Sequence, residues 1–172
     1  FVKTTVEDAF FEKLEAGVQE RLVGKVDNLD QYLNELEKEC AIIVPNGLCD
    51  YFMILWDIMH WCREQGIMTG SGRGSVCGSL IAYCLYITDV DPLKYNLMFE
   101  RFLNETRVSG ERAKSADSLP DIDCDFPVAF RDTVKEYMAR RYGVNHVCSV
   151  GTYTRMKLKT CLKDFGKVMG VP

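Results

Sequence analysis

No apolar run in the sequence approaches the roughly 20 residues that a bilayer-spanning helix needs. The first residues also lack the apolar core and cleavage pattern of a secretory signal peptide. None of the eight cysteines are paired as C-x-x-C, and this spacing argues against a structural zinc site. We therefore expect a cytoplasmic protein without membrane contact, whose cysteines are reduced core residues.

The composition is that of a globular protein. The chain has 172 residues, of which 47% are hydrophobic, enough for one domain or one and a half. It does not begin with Met, and we expect it to be a piece of a longer polypeptide.

Charge is distributed unevenly along the chain. The net charge of −4 argues against a general nucleic-acid binder. However, residues 1–125 contain 12 Lys and Arg against 22 Asp and Glu, whereas residues 126–172 contain nine against three. A basic segment after an acidic one is typical of a polyanionic substrate held beside a cation, although a solvated basic helix face would give the same pattern.

Residues 120–126, Pro-Asp-Ile-Asp-Cys-Asp-Phe, are here called the acidic segment. Alternation along a strand would place Asp121, Asp123 and Asp125 on one face and the apolar residues on the other. Three carboxylates on one face repel each other unless a cation neutralises them, and a divalent metal with oxygen ligands is the simplest candidate. The alternative is a solvated acidic turn, but the residues between the aspartates favour a strand.

Residues 70–75, Gly-Ser-Gly-Arg-Gly-Ser, are here called the glycine turn. We predict a short strand over residues 67–69 before it and a helix over residues 76–87 after it, with Ser75 as the N-cap. Such an arrangement can bind an anion, and Arg73 adds a planar donor suited to phosphate. The spacing matches neither the P-loop nor the dinucleotide-binding pattern.

Apolar periodicity predicts further helices over residues 7–22, 30–40, 48–64 and 128–142, and a final helix to residue 169 capped by Thr152 or Thr154. A strand is predicted over residues 147–150. The charged residues of the second helix are interpreted as a solvated face. We divide the chain into a helical portion, residues 1–65, and a domain with the glycine turn and the acidic segment, residues 66–172.

Together the two motifs resemble the C-family of bacterial replicative DNA polymerases, the polymerase III alpha subunits. The resemblance covers residues 35–172 and includes the glycine turn, Ile-Thr-Asp-Val-Asp-Pro-Leu at 87–93, Phe-Glu-Arg-Phe-Leu-Asn at 99–104 and the acidic segment. Departures from the family pattern are Ser71, Val76-Cys77, Thr154 and about ten extra residues near 109–118. They indicate a divergent member, of bacterial or phage origin.

The resemblance implies an α+β fold, a β-type nucleotidyltransferase-like palm with an N-terminal helical portion. It also implies roles for eight residues. The catalytic carboxylates would be Asp121 and Asp123, which with Asp125 would bind the metal, and the nucleotide would contact Arg73, Gly74, Ser75, Lys159 and Lys163.

The implied reaction is attack of a primer 3′-hydroxyl on a deoxynucleoside triphosphate, assisted by two Mg²⁺ ions, for which Mn²⁺ can substitute. The implied partners are primer–template DNA, the dNTP and other replisome subunits. A further carboxylate is expected downstream of residue 172, so we expect the isolated chain to be inactive. The alternatives are a non-catalytic, degenerate palm that binds DNA or a replisome partner, and a Ca²⁺-binding structural domain.

Overall fold

A computed structural model of the chain describes residues 5–103, 120–153, 155 and 157–170. The described α-helices are, in chain order, α1 (Val6–Arg21), α2 (Leu29–Ile43), α3 (Cys49–Glu64), α4 (Leu80–Cys84), α5 (Arg131–Tyr142) and α6 (Leu158–Val168). Short 3-10 helices are described at Gly74–Gly78, Phe99–Arg101 and Val128–Phe130. The chain forms two compact units, Phe1–Tyr137 and Met138–Pro172. The predicted domain boundary at residue 65 stays a prediction.

The first two helices begin at polar caps. The Thr5 hydroxyl accepts a hydrogen bond from the Asp8 N–H at 3.1 Å, and the Asp8 carboxylate accepts one from the Thr5 N–H at 2.9 Å. This reciprocal pair is a capping box. The Asn28 side chain accepts from the Gln31 N–H and caps α2 in the same way. The predicted helices in this part of the chain are thus present.

The core of the first unit is built by α1 to α4. Phe52 of α3 is fully buried, and its ring meets those of Phe10 and Phe102 edge to face, each at 6.3 Å between centroids. Both α1 and α2 pack on α4, and α1 also packs on α3. Because the 3-10 helix Gly74–Gly78 leads from the glycine turn to α4, this core anchors the inner end of that turn.

Arg21 joins the end of α1 to the chain after α4. Its guanidinium donates to the carbonyl oxygens of Tyr83 and Thr88, each at 2.8 Å, and forms an ion pair with Asp89. It also lies over the rings of Tyr83 and Tyr86, at 4.3 Å and 3.8 Å. The segment that follows α4 is therefore held against α1.

The predicted α+β palm is wrong: the residues that the structure describes contain helices and irregular segments and no β-strand. Residues 67–69, 120–126 and 147–150 were each predicted as strands and form none. A strand needs a neighbouring chain that exchanges backbone hydrogen bonds with it. Alternating apolar residues indicate only that one face of an extended segment is covered, and this can happen without a sheet.

The predicted helix over residues 76–87 is also wrong. The chain forms the 3-10 helix Gly74–Gly78, and then the short helix α4 starts after Ser79. The Ser79 hydroxyl, not that of Ser75, accepts from a helix N–H, that of Ala82 at 3.1 Å. The final helix begins at Leu158, preceded by Lys157 without a side-chain cap, so Thr152 is not its cap. Thr154 lies outside the described residues.

All eight cysteines are free, and they differ in exposure. Four are buried in the first unit, two are partly covered there, and Cys148 and Cys161 of the second unit are exposed. Burial raises the pKa of the Cys84 thiol to about 12. Within the described part of the chain, no helix has the length and apolar character that crossing a membrane would require.

Candidate functional site

The acidic segment lies on the first unit and is held to it near both ends by hydrogen bonds. At its start the Tyr51 hydroxyl donates to the Pro120 carbonyl oxygen at 2.8 Å, and near its end the Gly70 N–H donates to the Asp125 carbonyl oxygen at 3.0 Å. Ile122 packs against the core. Burial, with the Asp121 carboxylate as a further cause, raises the pKa of Tyr51 to about 12, so this hydroxyl keeps its donor proton at neutral pH.

The alternation predicted for this segment is partly visible in its exposure. Asp121 and Asp125 are exposed, but Asp123 is partly covered, as are Ile122 and Cys124. Burial raises the pKa of the Cys124 thiol to about 11, and the neighbouring carboxylates of Asp123 and Asp125 act in the same direction. The segment therefore presents carboxylates outward while a neutral thiol lies beneath them.

Arg73 of the glycine turn connects the two motifs. Its Nη2 lies 3.2 Å from Asp123 Oδ1, and its Nε lies 3.2 Å from Asp125 Oδ1. The guanidinium thus spans two carboxylates that are separated by one residue. About half of each of these side chains is exposed, so the ion pairs contribute little to stability. Their importance is that the glycine turn, predicted to bind an anion, and the acidic segment, predicted to bind a cation, meet here.

Two glycines of the turn have no room for a side chain. A Cβ at Gly70 would lie 2.9 Å from Asp125 Cβ, and one at Gly72 would lie 2.9 Å from Thr88 Cγ2. Gly72 and Gly74 also have φ of +107° and +73°, a region that glycine adopts most readily. The sequence of the turn thus allows both its curvature and its close approach to the acidic segment.

The turn is supported from behind by the segment after α4. The Asp89 N–H donates to the Ser71 carbonyl oxygen at 2.8 Å, and the Asp89 carboxylate is paired with Arg21. The contact chain from α1 to the turn therefore runs through Arg21 and Asp89. The observed partner of the Asp89 carboxylate is thus an arginine.

Sequence reasoning missed Glu39, which had been assigned to a solvated helix face. Its side chain is fully buried, and it accepts three hydrogen bonds at the start of α4, from the Ser79 hydroxyl and the N–H groups of Leu80 and Ile81. Burial raises the pKa of Glu39 to about 7, although these hydrogen bonds favour its ionised form. Its position one turn after the buried Leu36 and two turns after the buried Tyr32 is the signal that could have revealed it.

The fit of these residues to a metal ion is partial. Asp123 and Asp125 already face a single cation, the guanidinium of Arg73. Mg²⁺ often takes only one or two carboxylates, with water and substrate phosphates completing its shell. In the described ranges no three His, Cys, Asp or Glu side chains are grouped closely enough to hold a metal. The carboxylates present suit a metal that arrives with a phosphate ligand.

Lys159 and Lys163, the remaining predicted nucleotide contacts, lie on α6 in the second unit. Both are exposed. The same helix carries the apolar residues Leu158, Leu162 and Phe165, which are also exposed. The two lysines stay predictions as nucleotide contacts. The extra residues near 109–118 lie outside the described residues.

Comparison with known proteins finds one family over nearly the whole chain. The model of the bacterial DNA polymerase III alpha NTPase domain matches residues 8–172. DNA polymerase III subunit alpha of Bacillus subtilis (strain 168) is 45% identical over 168 residues, which is 98% of this chain and 14% of that protein. The subunits of Xylella fastidiosa (strain Temecula1) and Helicobacter pylori (strain 26695) are 43% and 42% identical, over 94% and 95% of this chain.

The chain spans 13% of the length of each of the latter two relatives, so it corresponds to a small part of them. The match nevertheless extends over almost all of its own residues, and the matched range includes both the glycine turn and the acidic segment. The chain belongs to the bacterial DNA polymerase III alpha family.

Proposed function

We propose that the chain is part of the catalytic core of a DNA-directed DNA polymerase. In this proposal the acidic segment holds Mg²⁺ and contributes the catalytic carboxylates Asp121 and Asp123, with Asp125 as a further ligand. The glycine turn, through Arg73, Gly74 and Ser75, binds the triphosphate of the incoming dNTP. Primer–template DNA and other replisome subunits are the proposed partners.

The observation that carries this proposal is the contact of Arg73 with Asp123 and Asp125, at 3.2 Å each. Nucleotidyl transfer needs cation ligands and anion ligands side by side, because the metal bridges carboxylates and phosphates. The sequence separates these two groups by about 50 residues, and the fold brings them into contact. Membership of the polymerase III alpha family supports the same assignment.

The residues of the turn have separate tasks in binding the triphosphate. Arg73 offers a planar donor group that matches phosphate oxygens, and it can turn from the carboxylates to the phosphates because its side chain is 58% exposed. Among the described residues, a Cβ placed at Gly74 would have only the Asp123 carboxylate nearby, at 3.8 Å, so the backbone there leaves space for a ligand. Ser75 is exposed and is the second residue of the 3-10 helix Gly74–Gly78.

The acidic segment supplies the oxygen ligands. When bound, the metal would activate the primer 3′-hydroxyl and neutralise charge on the leaving pyrophosphate. Asp123 is fixed beside the turn by Arg73, whereas Asp121 lies next to the Tyr51 side chain that holds the start of the segment. The carboxylates are thereby kept near the position at which the turn would place the phosphates.

The first prediction concerns the two catalytic carboxylates in the intact polypeptide that carries this chain. Asp121→Asn and Asp123→Asn should each reduce templated dNTP incorporation by more than the roughly 10–100-fold that loss of an outer-shell partner causes. The change removes the charge of a metal ligand while keeping its size. Primer-extension rates measure the effect.

The matched control is Asp132→Asn in α5. The Asp132 side chain is 93% exposed and makes only a long 3.7 Å pair with Lys135, so its extension rate should be unchanged. Thermal unfolding should be alike in all three variants, because the aspartates lie at the surface. Near-normal extension by the Asp123 variant would contradict the site assignment.

A non-catalytic module that binds DNA or a replication protein is the second candidate. It is favoured by the fact that Arg73 already neutralises Asp123 and Asp125 without a metal. The same experiment separates the two candidates. A non-catalytic module would show no incorporation in the unchanged polypeptide, and its DNA binding would be indifferent to Asp123→Asn.

A further inference from the structure

Glu39 is a fully buried carboxylate of α2 that faces the first residues of α4. Its Oε1 accepts from the Leu80 N–H at 2.6 Å. Its Oε2 accepts from the Ile81 N–H at 3.0 Å and from the Ser79 hydroxyl at 2.8 Å. Both oxygens are therefore used, and all three donors are neutral groups.

A carboxylate in this position is costly, because it loses its hydration and its observed partners carry no positive charge. An apolar side chain of similar size would fill the same space without that cost. What it could not do is fix the direction of two backbone N–H groups and a hydroxyl at once. The presence of Glu39 thus indicates that the backbone at the start of α4 must be held in one orientation, and not merely that the core must be filled.

The residues that Glu39 holds come directly after the 3-10 helix Gly74–Gly78, which continues the glycine turn into the core. The Ser79 N–H donates to the Val76 carbonyl oxygen at 2.9 Å and closes the 3-10 helix Gly74–Gly78, while its hydroxyl caps α4. The chain passes from exposed at Ser75 to buried at Val76. Glu39 is therefore attached where the exposed turn is anchored in the core.

A close contact between Gly78 and Met98 restricts movement of the backbone at this anchor. A Cβ at Gly78 would lie 2.6 Å from the Met98 carbonyl oxygen, so the backbone there has almost no space to shift toward residue 98. The outer end of the same segment carries Gly74, next to Asp123. A small rotation at Ser79 would consequently be transmitted to the turn instead of being absorbed locally.

We propose that Glu39 is a positioning residue for the glycine turn: by holding Ser79, Leu80 and Ile81 it sets the turn at the place where it binds the triphosphate. Glu39 does not itself touch the substrate and acts through Ser79. This inference rests on the proposed function, since the triphosphate is the ligand assigned there.

Glu39→Gln tests the inference with a change of similar size. Because each carboxylate oxygen accepts from a backbone N–H, the new amide NH₂ must face one of these N–H groups, and the start of α4 must move. In the intact polypeptide we expect the KM for dNTP to rise about tenfold, with kcat changed by less than about twofold. Glu37→Gln removes the same charge from an exposed position of α2 and should leave both constants unchanged.

The KM–kcat split distinguishes positioning from a merely structural role. A structural role would lower the amount of folded enzyme, so the apparent kcat would fall while KM stayed constant. Ser79→Ala removes one of the three hydrogen bonds to Glu39, together with the cap on the Ala82 N–H, and keeps the test valid if Glu39→Gln does not fold. It should raise KM in the same direction by a smaller factor.

If the unsubstituted polypeptide is active and the folded Glu39→Gln variant has the same KM for dNTP, the role of Glu39 is overturned and the proposed function stays intact. Absence of incorporation by the unchanged polypeptide would instead overturn the proposed function and this inference with it.

Discussion

Glu39 also makes the stability of the first unit depend on pH. Burial raises its pKa from the ordinary 4.5 to about 7 in the folded chain. The folded state therefore holds a proton that the unfolded state has lost between these values, and stability falls as the pH rises from about 4.5 to about 7. Glu35 strengthens the shift, and the neighbouring thiols of Cys40 and Cys84 stay protonated because their own pKa values are raised.

Urea unfolding at about pH 5 and about pH 8 measures this dependence. Glu39→Gln should lose the part of the pH dependence that this carboxyl causes, whereas Glu37→Gln should keep it, because Glu37 is exposed. An equal pH dependence in the Glu39 variant and the unchanged chain would show that another group is responsible.

The sequence identified the candidate site residues themselves, but it missed Glu39, which supports the glycine turn from the core. Arg73 and the aspartates were identified because an arginine in a glycine-rich turn and alternating carboxylates are typical of phosphate and metal binding. The fold brings Arg73 into contact with Asp123 and Asp125. Whether they bind metal and nucleotide stays a prediction. Glu39 was missed because a glutamate in a charged helix is usually solvated, and only the packing of α2 on α4 shows that it is buried.

At the scale of elements, the contact between α1 and α4 depends on a helix glycine. A Cβ at Gly17 would overlap the Cys84 carbonyl oxygen, which is backbone and cannot move aside alone. We expect Gly17→Ala to destabilise the chain by about 1–3 kcal/mol, although the same change in an open helix position stabilises by about 1 kcal/mol. The free energy of unfolding in urea measures it.

Gln19→Ala is the control in the same helix, because residue 19 is exposed. It should change the free energy of unfolding by no more than about 0.5 kcal/mol. A Gly17→Ala variant as stable as the unchanged chain would mean that α1 can pack on α4 at a greater distance than the structure shows.

Elements were predicted correctly where local signals and tertiary packing agree. Apolar residues at helical spacing gave α1, α2 and α3, because these helices need only one covered face. The acidic segment failed as a strand because pairing depends on a distant partner chain that local alternation does not specify. The helix after the glycine turn was interrupted because Ser79, held by Glu39, starts a new helix at Leu80.

At the scale of the whole molecule, the chain corresponds to a small part of its relatives, 14% of the Bacillus subtilis subunit. A polymerase must also hold primer and template, and a bound duplex occupies a large surface. We therefore expect the 172-residue chain alone to give no templated incorporation with primer–template, dNTPs and Mg²⁺. Primer extension is the measurement, with the Bacillus subtilis subunit as the positive control. Primer extension by the isolated chain that is lost when the chain carries Asp123→Asn would contradict this expectation.

The distribution of the cysteines has a practical consequence for labelling. The six thiols of the first unit are buried or partly covered, and burial raises the pKa of each; they are Cys40, Cys49, Cys62, Cys77, Cys84 and Cys124. A maleimide reacts with exposed thiolate, which these positions do not provide in the folded chain. Cys148 and Cys161 are exposed, and both belong to the second unit. A fluorophore can thus be attached to that unit, on α6 or just before it, without introducing any new residue.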